Sequence, residues 1–131
     1  MPILTSGVDI IEVARIARAM ERHGERFGAR FFTEQEIAYC NGRPERLAGR
    51  FAVKEAVAKA LGTGVGDVSW TEIEVLCDGR GKPELVLHGR ARVLAAKRGL
   101  AQWSISLSHT AVYAVGFVVG TGEERLEDGG L

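Results

Sequence analysis

Residues 47 to 61, Leu-Ala-Gly-Arg-Phe-Ala-Val-Lys-Glu-Ala-Val-Ala-Lys-Ala-Leu, read as a helix that is apolar almost all the way round yet carries Arg50, Lys54, Glu55 and Lys59. At about 100° per residue, Phe51, Leu47 and Ala58 form one apolar side and Val53, Val57 and Ala60 the opposite side. A helix with two apolar sides has to lie between two packed layers, which leaves a short chain few architectures. Its charges then fall in narrow seams, with Glu55 and Lys59 four residues apart on one and Arg50 and Lys54 four apart on another. Two readings of these seams compete. Glu followed four residues later by Lys is the favoured helix-surface ion pair, worth about 0.3–0.5 kcal/mol, and long basic stems can snorkel out of a half-buried helix. Alternatively, the seams present charge to a charged ligand.

The rest of the chain gives an α+β pattern. Residues 3 to 11 read as a first strand ending in Gly7-Val8-Asp9-Ile10-Ile11. A helix follows on the stripe Val13, Ile16, Ala17 and Met20, stopping at Gly24. Arg15, Arg18, Arg22 and Arg26 gather on its opposite side. Thr33 and Glu36 form a Thr-x-x-Glu capping box for a second helix that ends at Asn41-Gly42, with Phe32 and Ile37 spaced for a hydrophobic staple. Pro44 separates it from the helix over 46–61, which the Gly-Thr-Gly-Val-Gly loop at 62–66 follows. Alternation predicts strands over 71–77 and 85–87, joined by the Asp78-Gly-Arg-Gly81 turn. A helix over 89–98 and a strand from Trp103 to His109 come next. Tyr113 to Val119, apolar on both faces, predicts a central strand. These elements form one domain over 1–120, and the acidic, Gly-rich residues 121–131 are expected to be a disordered tail.

Several classes are disfavoured. No run of about 18 apolar residues occurs, and the N-terminus lacks the basic and apolar regions of a secretory signal, so a cytoplasmic protein is expected. Cys40 and Cys77 form no Cys-x-x-Cys and read as free thiols. Seventeen basic and seventeen acidic residues cancel, which argues against nucleic acid as a partner.

The residues with chemistry are few. Asp9 lies in an apolar run, where a buried unpaired carboxylate costs several kcal/mol. It fits an Asp-x-x-Glu capping box with Glu12 at the start of the first helix, a role that leaves its second oxygen free to serve a ligand. If Asp9 and Glu55 approach each other, a cation between them relieves their repulsion, and Mg²⁺ fits because it is held by one or two carboxylates plus water and phosphate. Arg50, Lys54 and Lys59 would flank such a cation as a diphosphate site. Gly62 and its loop follow a helix rather than a strand, so they are no dinucleotide fingerprint, although their N–H groups can touch a phosphate. His109 stands among hydroxyls at a strand end without a Gly-x-Ser-x-Gly elbow, which leaves a hydrogen-bonded structural role open. The arginine face reads as a solvated surface or as a dock for an acidic protein.

Gly-Val-Asp-Ile at 7–10, Arg-Phe-Ala-Val-Lys-Glu-Ala with Lys59 at 50–59, and Ser-Leu-Ser-His-Thr at 106–110 together resemble the bacterial holo-acyl-carrier-protein synthases, the small group of 4′-phosphopantetheinyl transferases. The likeness runs to about Val119. It implies that family's fold, a mainly antiparallel sheet packed against helices. It also implies transfer of phosphopantetheine from coenzyme A to a serine of apo acyl carrier protein, with adenosine 3′,5′-bisphosphate released. By this resemblance Asp9 and Glu55 would bind Mg²⁺, and Glu55 and Lys59 would carry the catalysis. Lys59 would stabilise charge on the diphosphate, while His109, Thr110 and Arg50 would line the coenzyme A pocket. Arg15, with Arg18 and Arg22 beside it on the arginine face, would anchor the carrier protein. The resemblance further implies a homotrimer with sites between subunits. The competing class is a non-catalytic module that binds a nucleotide or an acidic protein, in which Asp9 and Glu55 are structural.

Overall fold

The computed structural model describes residues 1–62 and 67–124. Along the chain run β1 (Pro2–Glu12), α1 (Val13–His23), α2 (Glu25–Phe31), α3 (Glu34–Cys40), α4 (Pro44–Ala60), β2 (Ile73–Cys77), β3 (Pro83–Leu87), α5 (Gly89–Lys97), β4 (Leu100–His109) and β5 (Tyr113–Glu123). Strands β1, β5 and β4 form an antiparallel sheet with β5 in the middle, while β2 and β3 form a separate hairpin. The central position of β5 is the one its two apolar faces predict. Among the described residues no helix is long and apolar enough to cross a membrane.

Helix α4 lies between two cores, as its two apolar sides require. Val53, Val57 and Ala60 join Ile73, Val75, Ile105 and Val118 in one core, and Leu47, Ala48 and Ala52 join Ile16, Phe27 and Phe32 in the other. Pro44 occupies the first turn, where a missing N–H is harmless, so the helix begins two residues before the expected Arg46. The helix can lie directly on the sheet because of two glycines. A Cβ on Gly7 would run into the Ala56 carbonyl, and one on Gly116 would meet the backbone of Ala52 and Val53.

Local signals held where capping chemistry decides. Thr33 Oγ1 accepts from Glu36 N (3.2 Å) and Glu36 Oε1 accepts from Thr33 N (2.9 Å), closing the capping box of α3. Asp78 Oδ1 accepts from the amides of Arg80 and Lys82 and fixes the β2–β3 turn.

Other expectations need correction. Gly24, at φ 51°, ends α1, but the chain re-enters a helix at once, so Arg26 lies on α2 rather than on the α1 arginine face. Burial of Phe27 against Phe31 and Phe32 holds this short segment, which its own length would not sustain. Strand β5 continues to Glu123 because Gly122 and Glu123 pair with Ile3 and Pro2, so Thr121–Glu123 belong to the sheet and not to a tail. Residues 63–66 and 125–131, which hold most of the expected glycine loop and tail, lie outside the described residues.

Candidate active site

Strand β1 alternates along its length, so Gly7, Asp9 and Ile11 face α4 while Leu4, Ser6, Val8 and Ile10 face away. Asp9 lies opposite Gly116 on β5, at the place where the helix rests against the sheet. Because β1 continues to Glu12, Asp9 cannot cap α1, whose N-cap is Glu12 with no side-chain cap bond. The capping alternative for Asp9 is thereby removed.

From the helix side, Lys59 Nζ donates to Asp9 Oδ1 (3.1 Å) and to the Val8 carbonyl (2.9 Å). Glu55, half-buried one turn earlier on α4, is near enough to Asp9 to feel its charge. Burial first, and then the Asp9 charge, push the Glu55 carboxyl above its ordinary range, against the opposing pull of Lys59 and Arg15. Glu55 is thus held where its charged form is disfavoured, a condition that a cation beside it would relieve. No third His, Cys, Asp or Glu joins them among the described residues. Two carboxylates at an open edge fit a hard divalent ion that draws its remaining ligands from water and phosphate, and they do not fit a closed zinc site.

Lys54 is not part of this site. Its side chain is fully buried, and Nζ donates to Glu36 Oε1 (2.7 Å), to Trp70 O (3.0 Å) and to Ile73 O. Burial lowers its pKa, and the Glu36 charge opposes that shift. With its donors turned inward, Lys54 cannot meet a diphosphate. It belongs to a polar core in which Glu36 also accepts from Val75 N, and in which Glu74 accepts from Thr33 and bonds His88. Sequence reading missed this core, although a capping Glu next to a Lys-bearing apolar helix was its visible signal. Arg50 also points elsewhere. Its guanidinium lies 4.5 Å from the Tyr39 ring centroid and donates to Arg46 O and Cys77 Sγ, while Nε has no partner among the described residues.

The remaining candidates sit around the site. His109 ends β4 opposite Ala114, exposed, one strand beyond β5 from Asp9 and offset from it, since Leu107 is the residue that shares Gly116 with Asp9. Thr110 Oγ1 accepts from the amides of Val112 and Tyr113 and so shapes the β4–β5 turn. Gly62, at φ 70°, donates to Lys59 O and ends α4. Arg15, Arg18 and Arg22 are exposed on α1, and only Arg15 is near enough for its charge to act on Glu55.

The far face of the sheet is apolar and open. Leu4, Val8, Ile10, Tyr113 and Phe117 are between 43% and 74% exposed, and the register sets Val8 beside Phe117 and Ile10 beside Val115. The apolar residues at even positions of β1 were the sequence signal for this surface.

A chain with this sheet, this sandwiched helix and acids meeting a lysine between them falls into a recognised class: residues 6–118 match the family model of the 4′-phosphopantetheinyl transferase superfamily. A holo-[acyl-carrier-protein] synthase of Herpetosiphon aurantiacus is 47% identical over 127 residues, spanning 92% of this chain and all of that protein. One from Moorella thermoacetica is 48% identical over 115 residues, 86% of this chain and 89% of that protein. The crystal structure of Helicobacter pylori holo-[acyl-carrier-protein] synthase in complex with coenzyme A superposes with a TM-score of 0.81 at 31% identity, covering 88% of this chain and 98% of that one. The chain belongs to the holo-acyl-carrier-protein synthase family.

Proposed function

We propose that the protein transfers the 4′-phosphopantetheine group of coenzyme A to a serine hydroxyl of an apo acyl carrier protein, releasing adenosine 3′,5′-bisphosphate. Asp9 and Glu55 would hold a Mg²⁺ ion, and Lys59 would supply positive charge to the diphosphate. The observation that carries the reading is the contact of Lys59 with Asp9 across α4 and β1, with Glu55 one turn back on α4 within reach of both charges. When bound, Mg²⁺ supplies charge neutralisation on the diphosphate, the dominant need in phosphoryl transfer. Lys59, on a flexible stem, follows the negative charge that grows on the departing bisphosphate. Glu55 would help to hold the cation, and its carboxylate is also a candidate acceptor for the serine proton. Arg15, at the rim beside Glu55, orients the carrier protein, with Arg18 and Arg22 extending that positive face along α1.

We further propose a homotrimer closed through the open apolar face of the sheet. Its support is the exposure of Val8, Ile10, Tyr113 and Phe117, a contiguous patch of the kind that marks interfaces. Assembly would let His109 and Thr110 of one subunit line the coenzyme A pocket at the Asp9–Glu55 pair of another.

Mass spectrometry of apo carrier protein incubated with the enzyme, coenzyme A and Mg²⁺ tests the activity. A gain of one phosphopantetheine is expected, and its absence with several carrier proteins would end this reading.

A further inference from the structure

The ion pair between Lys59 and Asp9 bears on the order in which the site fills. Lys59 directs two of its three N–H groups at β1, one to Asp9 Oδ1 and one to Val8 O. Its positive charge thus lies on the carboxylate that a cation needs. The Lys59 side chain is 56% exposed and that of Asp9 22%, so the ammonium can swing away without any backbone movement. Asp9 already has the Lys59 ammonium as its counter-charge, and a divalent ion on Asp9 beside that ammonium would bring like charges together.

We propose that Lys59 is an internal competitor for the cation: its ammonium holds Asp9 until a diphosphate draws it away, so divalent ion and diphosphate enter together and the ion alone binds poorly. This rests on the assignment of Asp9 and Glu55 to the cation and goes beyond it by giving Lys59 two successive partners. The diphosphate attracts the ammonium, frees Asp9, and adds negative charge that offsets the incoming ion. The coupling is reciprocal, so the ion strengthens diphosphate binding by the same factor. It also protects the site from filling with a cation that has no substrate attached.

The test is Mn²⁺ binding, read from the electron paramagnetic resonance signal of free Mn²⁺, for the full chain with and without coenzyme A. Lys59→Met keeps the stem and removes the charge at an exposed position, so folding is not at stake. Mn²⁺ alone is expected to bind Lys59→Met about tenfold more tightly than the unaltered protein, with the enhancement by coenzyme A reduced by a similar factor. Mn²⁺ affinity unchanged or weaker in Lys59→Met, while Asp9→Asn still weakens binding, would overturn the competitor role and leave the cation site standing. If Asp9→Asn and Glu55→Gln bind Mn²⁺ as the unaltered protein does, the competitor role and the cation site both fall.

Discussion

Lys59 Nζ stands 3.1 Å from Asp9 Oδ1, joining positions 50 residues apart across the seam between helix α4 and strand β1. Lys59 therefore pairs with the strand acid and not with Glu55, its neighbour one turn back on the same helix. The local ion pair that the Glu-x-x-x-Lys spacing favours is set aside because Asp9 and the Val8 carbonyl together offer the ammonium two acceptors.

Glu55 sits half-buried against another carboxylate, so its charge works against folding while serving the site. Glu55→Gln is expected to leave thermal stability equal or higher and to lower transfer at least about a hundredfold, as loss of a charge-placing group does. Parallel unfolding scans and carrier-protein mass shifts measure both; an active Glu55→Gln would take Glu55 out of the mechanism.

Gly7 has the Ala56 carbonyl where a side chain would begin. Gly7→Ala should push α4 off β1 and cost about 1–3 kcal/mol, the usual range for overpacking, and separate Glu55 and Lys59 from Asp9. Urea unfolding gives the stability and the transfer assay the activity. Both are expected to drop together.

Lys54→Met would leave Glu36 charged and buried without its partner, at a cost of about 3–5 kcal/mol. Adding Glu36→Gln should recover part of that loss, because the amide keeps an acceptor without a charge. The double-mutant cycle in urea reads the coupling.

Burial alone would raise the Glu74 carboxyl, but hydrogen bonds from Thr33 and His88, with the charges of His88 and Lys54, outweigh it and hold the group below its ordinary 4.5. In acid the unfolded chain then binds more protons at this site than the folded one. The stabilisation is complete above about pH 4.5 and fades as the pH falls through the lower folded value. Glu74→Gln should flatten the acid limb of a plot of stability against pH, measured by urea unfolding.

Phe117 and Val8 lie side by side on the open sheet face. Phe117→Asp is expected to give monomers in analytical ultracentrifugation and to abolish transfer while the far-UV spectrum stays native. A monomer with full activity would argue that each chain carries a complete site.

Much of this site could be read from the chain itself. The phase of the apolar residues put α4 between two layers, the Thr-x-x-Glu pattern started α3, and the residue types at 9, 55 and 59 pointed to a cation and a phosphate. The first two are local properties, fixed by helical periodicity or by a capping bond that spans one turn, whereas the third held only on the condition that Asp9 and Glu55 meet.

What the pattern could not rank was its own charges. Lys54 and Lys59 both lie in seams of one apolar helix, yet Lys54 is fully buried and Lys59 is more than half exposed. Periodicity fixes the angle between them but not which side is covered. That was decided by α3 and the segment leading into β2, which bring Glu36 and the carbonyls of Trp70 and Ile73 over Lys54, and by β1, whose continuation to Glu12 turns Asp9 toward Lys59 instead of into a helix cap. Burial and ion pairing depend on groups far apart in the chain, so only the folded arrangement could separate the lysine that holds the core together from the lysine at the site.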